Sequence, residues 1–238
     1  MYRKILPFNF ETKANYNLTY QTVNTMKRIL LSLSLLTLLF SCDLLTKQEV
    51  SSTSVGGDTN LDNNKVGYSV NPSVVIGTSN FTSNSSIVVT NNDNGVVTMT
   101  IKSSLPGNIS NMIPASYKDA TGKLNTTMKY KNTSEGILDY TNKDGKPFVI
   151  INYSSNVGDK YVLTKSDGTI ITRTVTAKSA TDDYPVMGGF MYIKTMTVEQ
   201  DSRIPGISKI IYIANHKYGL VAVKVVTSDG TTTKISLM

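Results

Sequence analysis

Few side chains in this sequence could do covalent or proton-transfer chemistry. There is one cysteine, Cys42, and one histidine, His216, so a zinc site built from several His or Cys ligands has no ligand set. A Ser-His-Asp triad would have to use His216. That residue stands in Asn215-His216-Lys217-Tyr218-Gly219 between two apolar runs, a setting that suits a solvated loop histidine, whereas a general base needs a fixed and partly buried position. Asp182 and Asp183 are adjacent, would point to opposite sides of a strand, and read as loop residues. A carboxylate pair from distant strands is what glycoside hydrolysis uses, but the chain has no tryptophan to line a sugar site. The run Asn91-Asn92-Asp93-Asn94-Gly95 invites comparison with a calcium loop. The twelfth position, where a bidentate glutamate belongs, is Lys102, so a turn is the better reading. Tyr184, Phe190, Tyr192, Tyr212 and Tyr218 could line a ligand cavity or simply pack a core. No catalytic residue, metal ligand or cofactor is expected.

The setting of the single thiol is more informative. Lys27 and Arg28 form a positive segment after Met26, residues 29–40 form an apolar run, and small Ser41 precedes Cys42. This is the layout of a cleaved secretory signal. The apolar run is twelve residues long, too short for a transmembrane helix, which needs about 20. Leu39-Phe40-Ser41-Cys42 resembles the bacterial lipobox. The resemblance implies diacylation of the Cys42 thiol, cleavage before it and acylation of the freed amine. Residues 1–25 then read as an upstream extension without a structural role, 26–41 as the lipoprotein signal peptide, and 42–65 as the lipidated cysteine and a flexible linker. Ser, Thr, Asn, Gly and Asp dominate that linker, with too few apolar groups to offset the entropy of ordering; a short edge strand around Val50 is the alternative.

Removal of the signal changes the charge balance. Five of the 24 basic groups (Arg3, Lys4, Lys13, Lys27, Arg28) and one of the 17 acidic groups (Glu11) precede Cys42, so the net charge falls from +7 to about +3. The remaining charges are scattered singly, without the basic cluster that a nucleic-acid partner requires. With Cys42 acylated no disulfide is possible, and residues 66–238 must hold together by their own core.

That region reads as short strands separated by turn chemistry. Residues 87–90 and 96–101 flank 91–95, where Asn and Gly tolerate positive φ. Asp144-Gly145, Ser166-Asp167-Gly168 and Ser228-Asp229-Gly230 punctuate similar pairs of runs, and 190–198 and 207–214 supply strands on either side of Pro205-Gly206. Residues 105–123 read as a long loop or one short helix over 114–120. Apolar groups lie on both faces of the strands at 207–214 and 220–226, so both faces must be covered. The predicted fold is all-β: a curved antiparallel meander, barrel-like or half-barrel, with a β-sandwich as the alternative. If the sheet curls around an interior, Tyr192, Met196, Ile211 and Ile213 should border a cavity.

Gly158-Asp159-Lys160-Tyr161, Arg173-Thr174-Val175, residues 212–221 and Asp229-Gly230 resemble the closing β domain of uncharacterised bacterial envelope proteins. The signal followed by an Asn/Ser/Thr-rich tether is similar to lipoproteins of Bacteroidota. These resemblances imply a place in the bacterial cell envelope at the outer membrane, on its periplasmic face or the cell surface. Surface display is favoured in that group by acidic residues soon after the cysteine, and Asp43 and Glu49 match only in part. The expected role is non-enzymatic: structural or protein-interaction, with the carriage of a small apolar or amphiphilic ligand as the alternative. Expected partners are the membrane through Cys42 and an envelope protein or an apolar ligand.

Overall fold

Among the described residues sixteen strands in chain order run β1 Ser69–Val70, β2 Ser73–Ile76, β3 Ser79–Phe81, β4 Ser86–Asp93, β5 Val96–Ser103, β6 Leu124–Thr133, β7 Gly136–Asp139, β8 Phe148–Asn152, β9 Lys160–Thr164, β10 Ile170–Lys178, β11 Tyr184–Val186, β12 Met191–Ile193, β13 Met196–Asp201, β14 Ile207–Asn215, β15 Gly219–Thr227 and β16 Thr232–Ser236. They come from a computed structural model that describes residues 51–238 except 82, 83, 106 and 143. Cys42, the signal stretch and the upstream extension lie outside the described residues.

Turn chemistry places the hairpins. Asn94 and Gly95 both have positive φ (51° and 85°), the two-residue turn whose twist matches that of the flanking strands. The loop is shorter than the sequence suggested, because Asn91, Asn92 and Asp93 pair with Thr98, Val97 and Val96. The Asp144-Gly145, Asp167-Gly168 and Asp229-Gly230 turns join β7 to β8, β9 to β10 and β15 to β16.

All pairings are antiparallel and fall into two large sheets and a hairpin. The six-stranded sheet is ordered β1-β4-β5-β6-β7-β8, the eight-stranded sheet β3-β2-β16-β15-β14-β13-β10-β9, and β11 pairs with β12 alone. The fold is thus the all-β antiparallel meander predicted, and neither sheet closes into a barrel. A core shared by both large sheets joins Ile137, Phe148, Val149 and Ile151 to Tyr161, Val175, Met196 and Val198. Within it Arg173, 3 % exposed, donates to Gln200 Oε1 (2.8 Å), to the carbonyls of Phe148 (3.2 Å) and Val149 (3.1 Å), and to Asp139 Oδ2 (2.9 Å). Its guanidinium also stacks 4.1 Å from the Phe148 ring centroid.

Three expectations are corrected. Residues 51–65, read as part of a flexible linker, lie against the sheets within a compact unit spanning Val50–Met238. Ser52 accepts from Val149 N (2.9 Å) with its carbonyl and from Val162 N (2.8 Å) with its hydroxyl, so it bridges the edge strands β8 and β9. Val55 packs on the shared core, and Asn64 donates to the Asn132 carbonyl at 2.8 Å. Composition registers apolar content, whereas this segment is held largely by polar groups that meet backbone groups distant in the chain. Of the two readings of 105–123 the loop holds and the helix over 114–120 does not: the stretch carries only a helical turn at Gly107–Ser110 and a 3-10 turn at Ala115–Tyr117. The strand read at 190–198 is two strands: Lys194 N donates to Asp182 (2.9 Å) and Ser179 N to the Thr195 carbonyl (2.8 Å), which turns the chain between β12 and β13.

Candidate functional site

The β11–β12 hairpin gathers the unusual side chains of the domain. Its register pairs Tyr184 with Ile193, Pro185 with Tyr192 and Val186 with Met191. Alternation puts Tyr184, Val186, Met191 and Ile193 on one face, where they pack with Ile211, Ile213, Val221 and Ala222 of the eight-stranded sheet. The two-faced apolar character of β14 and β15 is thereby explained: one face meets the six-stranded sheet and the other lies under this hairpin.

Beyond the last pair, Met187, Gly188 and Gly189 all take positive φ (51°, 71° and 93°). Two glycines adopt this freely, but for Met187 it is strained. The turn leaves Phe190 95 %, Met187 58 % and Tyr192 55 % exposed. Residues 184–193 contain no charged side chain. That charge-free run split by Gly-Gly was the available sequence signal, and reading 190–198 as one strand concealed it.

Beside the hairpin lies a groove of about 380 Å³, bordered by Tyr184, Val186, Met187, Val221, Lys234 and Met238. Lys234 Nζ stands 5.2 Å from the Tyr184 ring centroid. The Tyr184 hydroxyl is buried without a hydrogen-bond partner, a deficit costing about 1–3 kcal/mol. A second groove of about 390 Å³ on the six-stranded sheet is bordered by polar Asn91, Asp93, Thr98 and Lys129 with Tyr140.

The four residues expected around one cavity are separated. Met196 pairs with Ala214, the neighbour of Ile213, so Met196 and Ile213 point to opposite faces. Met196 is in the shared core, Ile211 and Ile213 lie under the hairpin, and Tyr192 is on the hairpin's outer face. The remaining chemical candidates serve turns and edges. His216 is exposed, with its ring edge-on to Tyr153 at 6.4 Å. Asp183 accepts from Ser179 Oγ at 2.7 Å and Asp182 from Lys194 N. Among the described residues no three His, Cys, Asp or Glu side chains cluster as metal ligands. Burial raises the hydroxyl pKa of Tyr130, Tyr153 and Tyr212, with Arg173 partly opposing it at Tyr212.

What this arrangement can do is make contact. It presents an apolar tip and a small groove, and the hydroxyl–carboxylate pairs, such as Ser179 on Asp183, stand in turns. In comparison with known proteins, no family model, no curated protein and no solved structure matches the chain.

Proposed function

We propose that the chain is a bacterial envelope lipoprotein, anchored through acylated Cys42, that acts by contact and not by catalysis, with the β11–β12 hairpin as its contact element. The observation that carries this reading is Phe190, 95 % exposed at the end of a hairpin without charge. Soluble domains rarely leave a large apolar side chain so open beside others, and such patches mark interaction surfaces. The lipobox-like residues 39–42 support the anchor, and two or three acyl chains would hold it stably.

The test places a photoreactive phenylalanine analogue at position 190 in the full chain in cells. Adducts should form from position 190 and not from position 170, where Ile170 is 49 % exposed on a sheet strand. Equal or absent adducts at the two positions would remove the hairpin from the function. Mass spectrometry of the amino-terminal peptide reports the anchor separately: acylated Cys42 is expected, and an intact peptide spanning residues 23–27 in mature protein would overturn it.

The groove beside the hairpin supports a second reading, carriage of a small amphiphilic ligand. Its volume of about 380 Å³ lies within the usual scale of small-molecule sites, and its mixed lining includes the cation of Lys234 and the apolar side chains of Val186 and Val221. Extraction of purified protein with organic solvent should then yield a stoichiometric compound; an empty extract removes this reading.

A further inference from the structure

The tip of the hairpin has the shape and chemistry of an element that meets lipid. Interfaces between proteins carry a polar rim around their anchors, whereas here the whole of residues 184–193 lacks charge. The nearest charged residues in sequence, Asp182, Asp183 and Lys194, stand at its base. Phe190 and Met187 are the most exposed large apolar side chains of the hairpin, and Tyr192, with an apolar ring and polar hydroxyl, sits on its outward face. Aromatic rings of this kind concentrate at the level of lipid headgroups.

The backbone limits how deep such an element could go. Ladder pairing ends at Val186 and Met191, so residues 187–190 lie beyond the hydrogen-bonded strands. Hydrocarbon penalises unpaired peptide groups, and the tip therefore suits the boundary between headgroups and acyl chains and not the bilayer centre. The tether supplies the opportunity. Nine peptide steps lead from Cys42 to residue 51, and at full extension they span at most about 30 Å. A domain anchored at Cys42 is thus held within about one domain diameter of the bilayer.

We propose that Met187 and Phe190, with Tyr192 behind them, insert into the interfacial layer of the membrane that carries the anchor, so that the domain rests on the bilayer in one orientation. This rests on the lipid-anchored reading of Cys42 given above. Met187 fits the arrangement: it holds a positive φ at the start of the turn and leaves more than half of its apolar side chain exposed.

The chain contains no tryptophan, so Phe190→Trp creates a single fluorescent reporter. The full-length variant, produced in a bacterial host, is reconstituted into phosphatidylcholine vesicles whose acyl chains are brominated near the headgroup. Indole emission should shift to shorter wavelength and be quenched. Ile170→Trp, made in the same way on β10, should be neither shifted nor quenched. Tyr192→Trp provides a second reporter on the hairpin, with a smaller shift expected. Quenching at position 190 no greater than at position 170, or photo-adducts from position 190 that contain protein and no lipid, would overturn the insertion. Acylated Cys42 with an unquenched reporter at position 190 would overturn the tip alone. Unacylated protein whose reporter at position 190 is still quenched by added vesicles would overturn the anchor and leave the tip.

Discussion

Arg173 shows how one side chain can tie two sheets. It stands on β10, yet it binds two carbonyls of β8, a carboxylate of β7 and an amide of β13. The planar fork of donors permits this, and a lysine has only a point charge to offer. Arg173→Ala should cost about 3–5 kcal/mol in urea unfolding, because it leaves the Asp139 carboxylate without its partner, and Arg173→Lys should recover only a small part. At Met187 the direction reverses. Glycine adopts positive φ without the side-chain clash that a left-handed residue suffers, so Met187→Gly should stabilise the fold by up to about 1 kcal/mol while weakening the tip's contacts. The buried tyrosines give a prediction in pH. The hydroxyls of Tyr130, Tyr153 and Tyr212 have pKa values raised by burial, so the folded state holds protons that the unfolded chain releases above about pH 10. Their contribution is fully present below that pH and is lost as pH rises beyond it. Tyrosinate absorbance should therefore appear in two stages, exposed rings first and the remainder together with loss of far-ultraviolet structure. A single stage that precedes unfolding would contradict the burial.

Among the elements, hairpins closed by Asn-Gly or Asp-Gly were legible because a two-residue turn is decided by the residues within it. β6 was not. Leu124-Asn125-Thr126-Thr127-Met128-Lys129 offers no clean alternation, and the strand exists because β5 pairs with it over eight positions. The segment at 51–65 has the composition of a linker and hides its packing for the same reason: its partners, Val149, Val162 and Asn132, are distant in sequence. The candidate site was half visible, since Phe190 and Tyr192 stood out as aromatics, whereas their exposure depends on the hairpin folding over β14 and β15 with its other face down. Gly136 tests the seam between these parts. A Cβ there would collide with the Ile151 carbonyl and stand 3.1 Å from Val55 Cγ1. Gly136→Ala should therefore destabilise by about 1–3 kcal/mol and speed proteolysis at residues 51–65, which limited digestion with mass analysis would locate.

For the molecule as a whole, two large sheets over a shared core account for stability without a disulfide, and the hairpin outside that core is available for contact. Substitution at the tip should then separate function from folding. Phe190→Ser together with Tyr192→Ser should leave the unfolding midpoint within about 0.5 kcal/mol of the parent and abolish photo-adducts from a probe placed at position 187. A large loss of stability would mean that the hairpin belongs to the core.

The pairing of β2 with β16 carries a consequence for how the chain is made. Val74 lies opposite Ile235, so the β2–β3 hairpin can join the rest of the eight-stranded sheet only after every other described strand has been synthesised. Closing so long a loop makes this a slow, late step. A chain that crosses a membrane with its amino end leading would expose β2 and β3 while the rest still emerges. The domain has no finished form short of β16: release of a chain lacking that strand should give a protease-sensitive product, however faithfully the earlier hairpins have formed.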